Sequence, residues 1–258
     1  MRFLAVTDLH YSGVECGVDG RRHSLSLGKL QEAVRLHAAG CDCIVNLGDS
    51  ADAADGSRAQ EALLDEVCGV LRASGLPHYT IIGNHDTSIE KPDFYPHMDM
   101  ENRYYAFTCA EYRCLVLDAC LNDEREPMPK QEIAWDNCRI DPPQLDWLHA
   151  ELAAAELPVL IFSHVPFMLD TPDVENPHLV RNRRDAMRIF ADSGKVCAVF
   201  SGHYHDGCFG VCSGIPYVTF AAMVIGAEST HAVVDVTADG ITVTGYGRQK
   251  SIKIPRMN

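Results

Sequence analysis

The chain has 258 residues, 47% of them apolar, and a formal charge of −14 from 22 Lys and Arg against 36 Asp and Glu. That apolar content excludes a disordered chain, and the acidic balance argues against a nucleic-acid binder working through a broad basic surface. Small anionic substrates remain open, because bound divalent cations reverse a local field.

The first third alternates element types. "RFLAVT" (2–7) reads as a buried strand, and "SLSLGKLQEAVRLHAAG" (24–40) as a helix capped by Ser24 and stopped at Gly40. "CDCIVNLG" (41–48) is a strand, "SRAQEALLDEVCGVLRASG" (57–75) a helix and "PHYTIIG" (77–83) a third strand. Such alternation implies parallel strand–helix–strand units. Residues 87–103 are polar and Pro-bearing, hence a loop, and 103–119 read as a strand pair turning near Glu111. An irregular stretch, 120–141, is long enough to be functional. Helix "DPPQLDWLHAELAAAE", strand "PVLIFSH", a loop over 166–182, helix "RRDAMRIFADSG" and strand "KVCAVFSGH" follow. From 208 onward come short strands with Gly and Pro turns, expected to be antiparallel. There is no linker or repeat, so residues 1–258 are expected to form a single domain with two sheets.

Eleven cysteines, an odd count, run from Cys16 to Cys212. The chain is too large to need disulfide staples, and "MRFLAVTDLH" leaves no room for a signal h-region. No window approaches transmembrane length. The expectation is a reduced, cytoplasmic protein with no membrane partner, its cysteines filling core positions. Cys41-x-Cys43 and Cys208-x3-Cys212 lack zinc-knuckle spacing and read as strand residues.

Polar residues recur just past the carboxyl end of each strand: Asp8 and His10, Asp49, Asn84 with His85 and Asp86, His164, then His203 and His205. In open α/β sheets those ends form the ligand crevice. Side chains at i and i+2 of an extended segment point the same way, so Asp8 with His10, and His203 with His205, aim at common points. Oxygen and imidazole donors without thiolates suit manganese, iron or zinc. Two aspartates, an asparagine and four histidines exceed one ion's needs, and a bridging carboxylate makes the count fit two.

The ordered motifs "DLH", "GD", "GNHD", "SH" and "GHYH", spread from residue 3 to about 220, resemble the calcineurin-like metallophosphoesterase family. The resemblance implies an α/β fold, a two-layer β-sandwich of mixed sheets flanked by helices, around a binuclear metal centre. It implies one site of Asp8, His10, Asp49 and His205 and another of Asp49, Asn84, His164 and His203, with Asp49 as the bridge. His85 falls where the family has a histidine near the scissile phosphate, and Asp86 where an acidic residue supports it. "PPQLDWL", with Gln144 and Trp147, and Asn182 are similar to the smaller prokaryotic members.

The family's protein Ser/Thr phosphatases usually carry an Arg after the second motif and a Glu ending the third; this chain reads "GDSADAAD" and "GNHD". The expected activity is therefore hydrolysis of a small phosphodiester or nucleotide phosphoanhydride, by in-line attack of a hydroxide held between two ions. A nucleotide is among the candidate substrates and nucleic acid is not. His85 would protonate the leaving oxygen with Asp86 holding its imidazolium form, and Gly83 would let the backbone turn sharply. Alternatives are a phosphomonoesterase, a protein phosphatase, or a scaffold that keeps the fold without catalysis. Asp52 reads either as orienting a ligand or as a solvated loop aspartate; Arg21, Arg22 and His23 read as a solvent-facing basic patch in preference to a phosphate or nucleotide contact, and His178 as a surface histidine in preference to a pocket residue. Oligomeric state is not legible.

Overall fold

The computed structural model describes residues 1–14, 19–53, 58–121, 135–170 and 176–256. Two six-stranded sheets stack face to face. With β1 (Arg2–Val6), β2 (Cys43–Asn46), β3 (His78–Thr80), β10 (His231–Thr237), β11 (Gly240–Tyr246) and β12 (Ile252–Pro255), the first sheet runs β12-β11-β10-β1-β2-β3. With β4 (Tyr105–Cys109), β5 (Tyr112–Leu117), β6 (Val159–Ser163), β7 (Val196–Ser201), β8 (Cys208–Cys212) and β9 (Ile215–Thr219), the second runs β4-β5-β6-β7-β9-β8.

The near-continuous apolar runs of β1, β2 and β6 are explained by burial on both faces. Phe3, Phe162 and Phe200 meet edge-on and stacked between the sheets, with centroids 5.3–5.6 Å apart. The outer face of the first sheet packs on α1 (Ser26–His37) and α2 (Gln60–Ala73) through Leu30, Leu63 and Val67. The outer face of the second packs on α4 (Pro142–Ala154) and α5 (Arg183–Ser193) through Leu148, Leu152 and Phe190. The α/β sandwich expected from the sequence is the fold observed.

Four local expectations change. A 3-10 turn, His23–Leu25, precedes α1, whose N-cap is Leu25 rather than Ser24. The stretch 87–103 contains α3 (Lys91–Phe94) between two 3-10 turns, seated by Phe94 and Met98 in the core over α2. Strand β12, absent from the sequence reading, adds an edge to the first sheet. Among the later strands, β9 pairs parallel with β7, because the β8–β9 hairpin inserts its second strand next to β7. Most of the irregular stretch 120–141 lies outside the described residues.

All ten described cysteines are free thiols and seven are buried, as expected of core residues. Cys41 Sγ faces the His37 carbonyl and Cys43 Sγ faces Cys109, so the Cys41-x-Cys43 pair converges on no common point. Among the described residues, no helix is long and apolar enough to cross a membrane.

A candidate binuclear metal centre

The carboxyl ends of β1, β2, β6 and β7 meet at one edge of the sandwich, and main-chain bonds sew their loops together. Asp8 and His10 donate N–H to Gly48 and Asp49 carbonyls, Gly202 to the His164 carbonyl, and Met223 and Val224 to those of Thr7 and Asp8. Asp8, His10, Asp49 and His203 all adopt left-handed backbone, with φ of 50°, 42°, 51° and 68°. Non-glycine residues rarely sit there, and four in one cluster mark strain held by the surrounding fold.

Close approach accounts for two glycines. A Cβ on Gly83 would lie 2.2 Å from the Asp49 amide nitrogen and 2.2 Å from its Oδ1. One on Gly202 would lie 2.0 Å from Thr7 Oγ1 and 2.7 Å from Asp8 Oδ2. Gly83 is thus required by crowding against Asp49 rather than by the sharp turn expected of it.

The side chains converge as two groups that share an edge. Asp8, His10 and His205 bring ligand atoms within 4.8 Å of one another, as do Asp49, His164 and His203. Asp49 Oδ2 stands between them, 3.5 Å from His10 Nε2 and 3.3 Å from His164 Nε2. Its Oδ1 accepts the His85 N–H at 2.7 Å. Asp8 Oδ2 accepts from Thr7 Oγ1 and the His203 N–H, which leaves Oδ1 buried without a hydrogen-bond partner, 3.4 Å from His205 Nε2. His164 Nδ1 donates to the Leu47 carbonyl at 2.7 Å, so in the neutral ring Nε2 carries the lone pair; it faces Asn84 Oδ1 at 3.2 Å. His203 Nε2 lies 3.2 Å from the Trp135 carbonyl, which leaves Nδ1 to accept.

Lone pairs facing lone pairs in a buried site repel unless a cation lies among them. The electrostatics carry the same signature. Burial opposes charge on Asp8, yet the imidazoles of His10, His205 and His164 hold its carboxyl well below the usual range. Asp49 is lowered likewise, with His164 and His85 outweighing burial. Burial also opposes charge on His10 and His164, but the carboxylates of Asp52, Asp8 and Asp49 raise them to about 9 and about 10. His203, buried and beside His164, is pushed down to about 3. The carboxylates thus draw protons onto two imidazoles; divalent cations would balance the same charge with the rings neutral. The donor set, the orphaned Asp8 oxygen and the fixed His164 tautomer fit two borderline metal ions.

Asp86 departs from expectation. It is buried, and its carboxylate accepts N–H from Asp49 and Gly83 through Oδ2 and from Ser50 through Oδ1, each at 2.9 Å. Burial and the neighbouring Asp49 raise its carboxyl to about 7 against those bonds. It clamps the Asp49 loop onto the Asn84 turn. The carboxylate beside His85 is Asp52, whose Oδ2 lies 3.1 Å from His85 Nδ1 and 3.6 Å from His10 Nδ1. Burial would raise Asp52, but His10 and His85 lower it far below its ordinary value.

A cleft of about 410 Å³ opens over these groups, lined among others by Arg21, His85, Trp135, His178 and Tyr204. His178 therefore faces the cleft rather than open solvent. His23 is buried, its Nδ1 2.9 Å from the His10 carbonyl, and does not belong to a solvent-facing patch; Arg22 alone of the three is exposed. Gln144 spans the Asp118 main chain with both ends of its amide, and Asn182 does the same for Ile140, so both are structural. Trp147 packs against Tyr104. A further cluster, Cys68 of α2, His78 of β3 and Asp99 after the 3-10 turn Tyr95–Met98, lies apart, and Arg72 of α2 already pairs with Asp99 at 2.5 and 2.7 Å.

The sequence profile of the calcineurin-like phosphoesterases matches residues 1–207. The chain belongs to that family. It is 30% identical over 223 residues to "Serine/threonine-protein phosphatase CPPED1" of Danio rerio, an alignment covering 81% of this chain and 66% of the relative. It is 23% identical over 219 residues to a "Probable cyclic nucleotide phosphodiesterase" of Psychrobacter arcticus, covering 79% of this chain and 73% of that one. The crystal structure of a dimetal phosphatase from Danio rerio superposes with a TM-score of 0.82 at 21% identity, over 99% of this chain and 98% of the other. The family fold thus extends beyond the profile match, through β8–β12.

Proposed function

We propose that this chain is a binuclear metal-dependent hydrolase of small phosphodiesters or nucleotide phosphoanhydrides. Asp8, His10, Asp49 and His205 would hold one ion, and Asp49, Asn84, His164 and His203 the other. The observation that carries the reading is Asp49 Oδ2, set between His10 and His164 Nε2 at 3.5 and 3.3 Å, the place of a bridging ligand. Four imidazoles among the donors favour manganese, iron or zinc over magnesium.

When bound, two such ions act as Lewis acids on phosphoryl oxygens and lower the pKa of water. The chain's own residues do the rest. Asn84 offers a neutral oxygen, which adds a donor without adding charge. His85 lines the cleft with Nδ1 turned to Asp52, so Nε2 is the nitrogen left to hand a proton to the leaving oxygen. We read residues 1–258 as one domain, because β10–β12 complete the sheet that β1 and β2 begin. The ten free thiols favour a reducing, cytoplasmic setting.

The test is a substrate screen of manganese-loaded protein on cyclic nucleotides, nucleotide diphosphate conjugates, glycerophosphodiesters, simple monoesters and a phosphoserine peptide. The expected result is hydrolysis of diesters or anhydrides in preference to monoesters, abolished by chelation and restored by manganese better than by magnesium. Turnover of the phosphopeptide alone would replace this reading with the protein phosphatase named for the zebrafish relative. Full activity in magnesium with no transition metal bound would overturn the donor assignment.

A further inference from the structure

The cleft has one wall that the hydrolytic groups do not explain. Trp135 is 45% exposed, although it stands at the rim of a buried site. Its ring lies 4.9 Å from that of His178, and His178 lies 5.3 Å from Tyr204. The three rings form a contiguous aromatic cluster, Trp135 tilted 41° to His178 and Tyr204 edge-on to it at 78°, anchored to the site because the Trp135 carbonyl meets His203 Nε2 at 3.2 Å. Arg21 lines the same cleft, a cation in a chain of net charge −14.

An exposed indole gains little from water and is suited to stack on a flat partner. Phosphate and a flexible alkyl group need no such surface; a planar ring does. The cleft volume, about 410 Å³, falls in the usual ~300–1,000 Å³ range of small-molecule pockets. Building on the phosphoester reading above, we propose that Trp135, His178 and Tyr204 bind a planar heteroaromatic group of the substrate, with Arg21 drawn to its negative charge. The substrate class is then a nucleotide-like phosphoester rather than a glycerophosphodiester.

Calorimetric titration of manganese-loaded protein with adenosine 5′-monophosphate and, separately, ribose 5-phosphate tests this without relying on turnover. The wild type should bind the nucleotide about tenfold tighter than the sugar phosphate, the size of a single ring stack. Trp135→Ala should lose that preference, and Trp135→Phe, which keeps a flat ring, should retain most of it. The ratio of kcat/KM for a cyclic nucleotide over glycerophosphocholine should fall about tenfold in Trp135→Ala by the same reasoning. Equal binding of the two phosphates by the wild type, or a preference that survives in Trp135→Ala, overturns the aromatic wall alone. If neither phosphate binds and no phosphoester is hydrolysed, the hydrolase reading falls and this inference falls with it.

Discussion

Asp52 reaches His85 across two loops: its Oδ2 lies 3.1 Å from His85 Nδ1, while Asp86, next to His85 in sequence, points its carboxylate at three main-chain amides. If Asp52 serves the site through His85, losses at the two positions do not add. His85→Ala should slow an alkyl phosphodiester by about 10²–10⁴, as for other general acids, and a nitrophenyl ester much less. Asp52→Asn should follow the same leaving-group pattern more weakly, and should cost little in a His85→Ala background. An equal cost in both backgrounds would mean that Asp52 acts through His10, its other neighbour at 3.6 Å.

Asp49→Ala should deplete both ions together, whereas His205→Ala and Asn84→Ala should each weaken mainly one. The measurement is metal content of dialysed protein by mass spectrometry. Two equivalents retained in Asp49→Ala would refute its place as a bridge.

Gly83→Ala and Gly28→Ala make a matched pair. The added methyl at Gly83 would meet Asp49 at 2.2 Å, an overlap that must displace the loop, so a loss of ~1–3 kcal/mol in urea unfolding is expected. At Gly28, in α1 with nothing within 4 Å, the same methyl should stabilise by ~0.5–1 kcal/mol through helix propensity. Equal, small effects at both positions would mean that the Asp49 loop yields easily.

His231 supplies a pH dependence outside the candidate metal centre. Burial, then the nearby His37, lowers it from 6.5 to about 4, against the hydrogen bond from its Nδ1 to the Ser229 carbonyl at 3.0 Å. Its Nε2 is buried without a hydrogen-bond partner. Between those two values the unfolded chain binds the proton and the folded one does not, so stability is present above about pH 6.5 and lost toward pH 4. His231→Phe, which can keep the stack on Tyr246 seen at 4.7 Å, should flatten the melting-temperature curve across that window relative to wild type. Parallel curves would remove His231 as a source of acid sensitivity.

Much of the site could be read from the sequence, because the strands end together at one edge and the donors follow directly, although left-handed backbone at Asp8, His10, Asp49 and His203, not extended i, i+2 alternation, aims those side chains. Asp8, His10, Asp49, Asn84, His164, His203 and His205 meet at one edge for that reason. The misreadings have a common cause: contacts between loops leave no local pattern. The family resemblance suggested that Asp86 supports His85, but the 3-10 turn His85–Ser88 sends consecutive side chains in different directions, and the carboxylate beside His85 is Asp52 of another loop. His23 and His178 looked like surface histidines because their partners, the His10 carbonyl and Trp135, lie far away in sequence. Asp52 already carried the available signal, a carboxylate three residues after Asp49 on the same loop. The parallel pairing of β9 was hidden because Gly and Pro turns mark hairpins without saying which strand lies inward.

The clasp of Met223 and Val224 onto Thr7 and Asp8 bears on how the protein is born. Asp8 and the His203 amide that fixes its carboxylate are separated by 195 residues. On the ribosome, the first motif emerges long before the groups that restrain it, and β1 waits for β10 to cover its open edge. The early segment must hold its left-handed aspartate and histidine without that clasp, or adopt them only after release. Closing so long a loop makes assembly of the centre a late event in folding, and ties it to completion of the sheet.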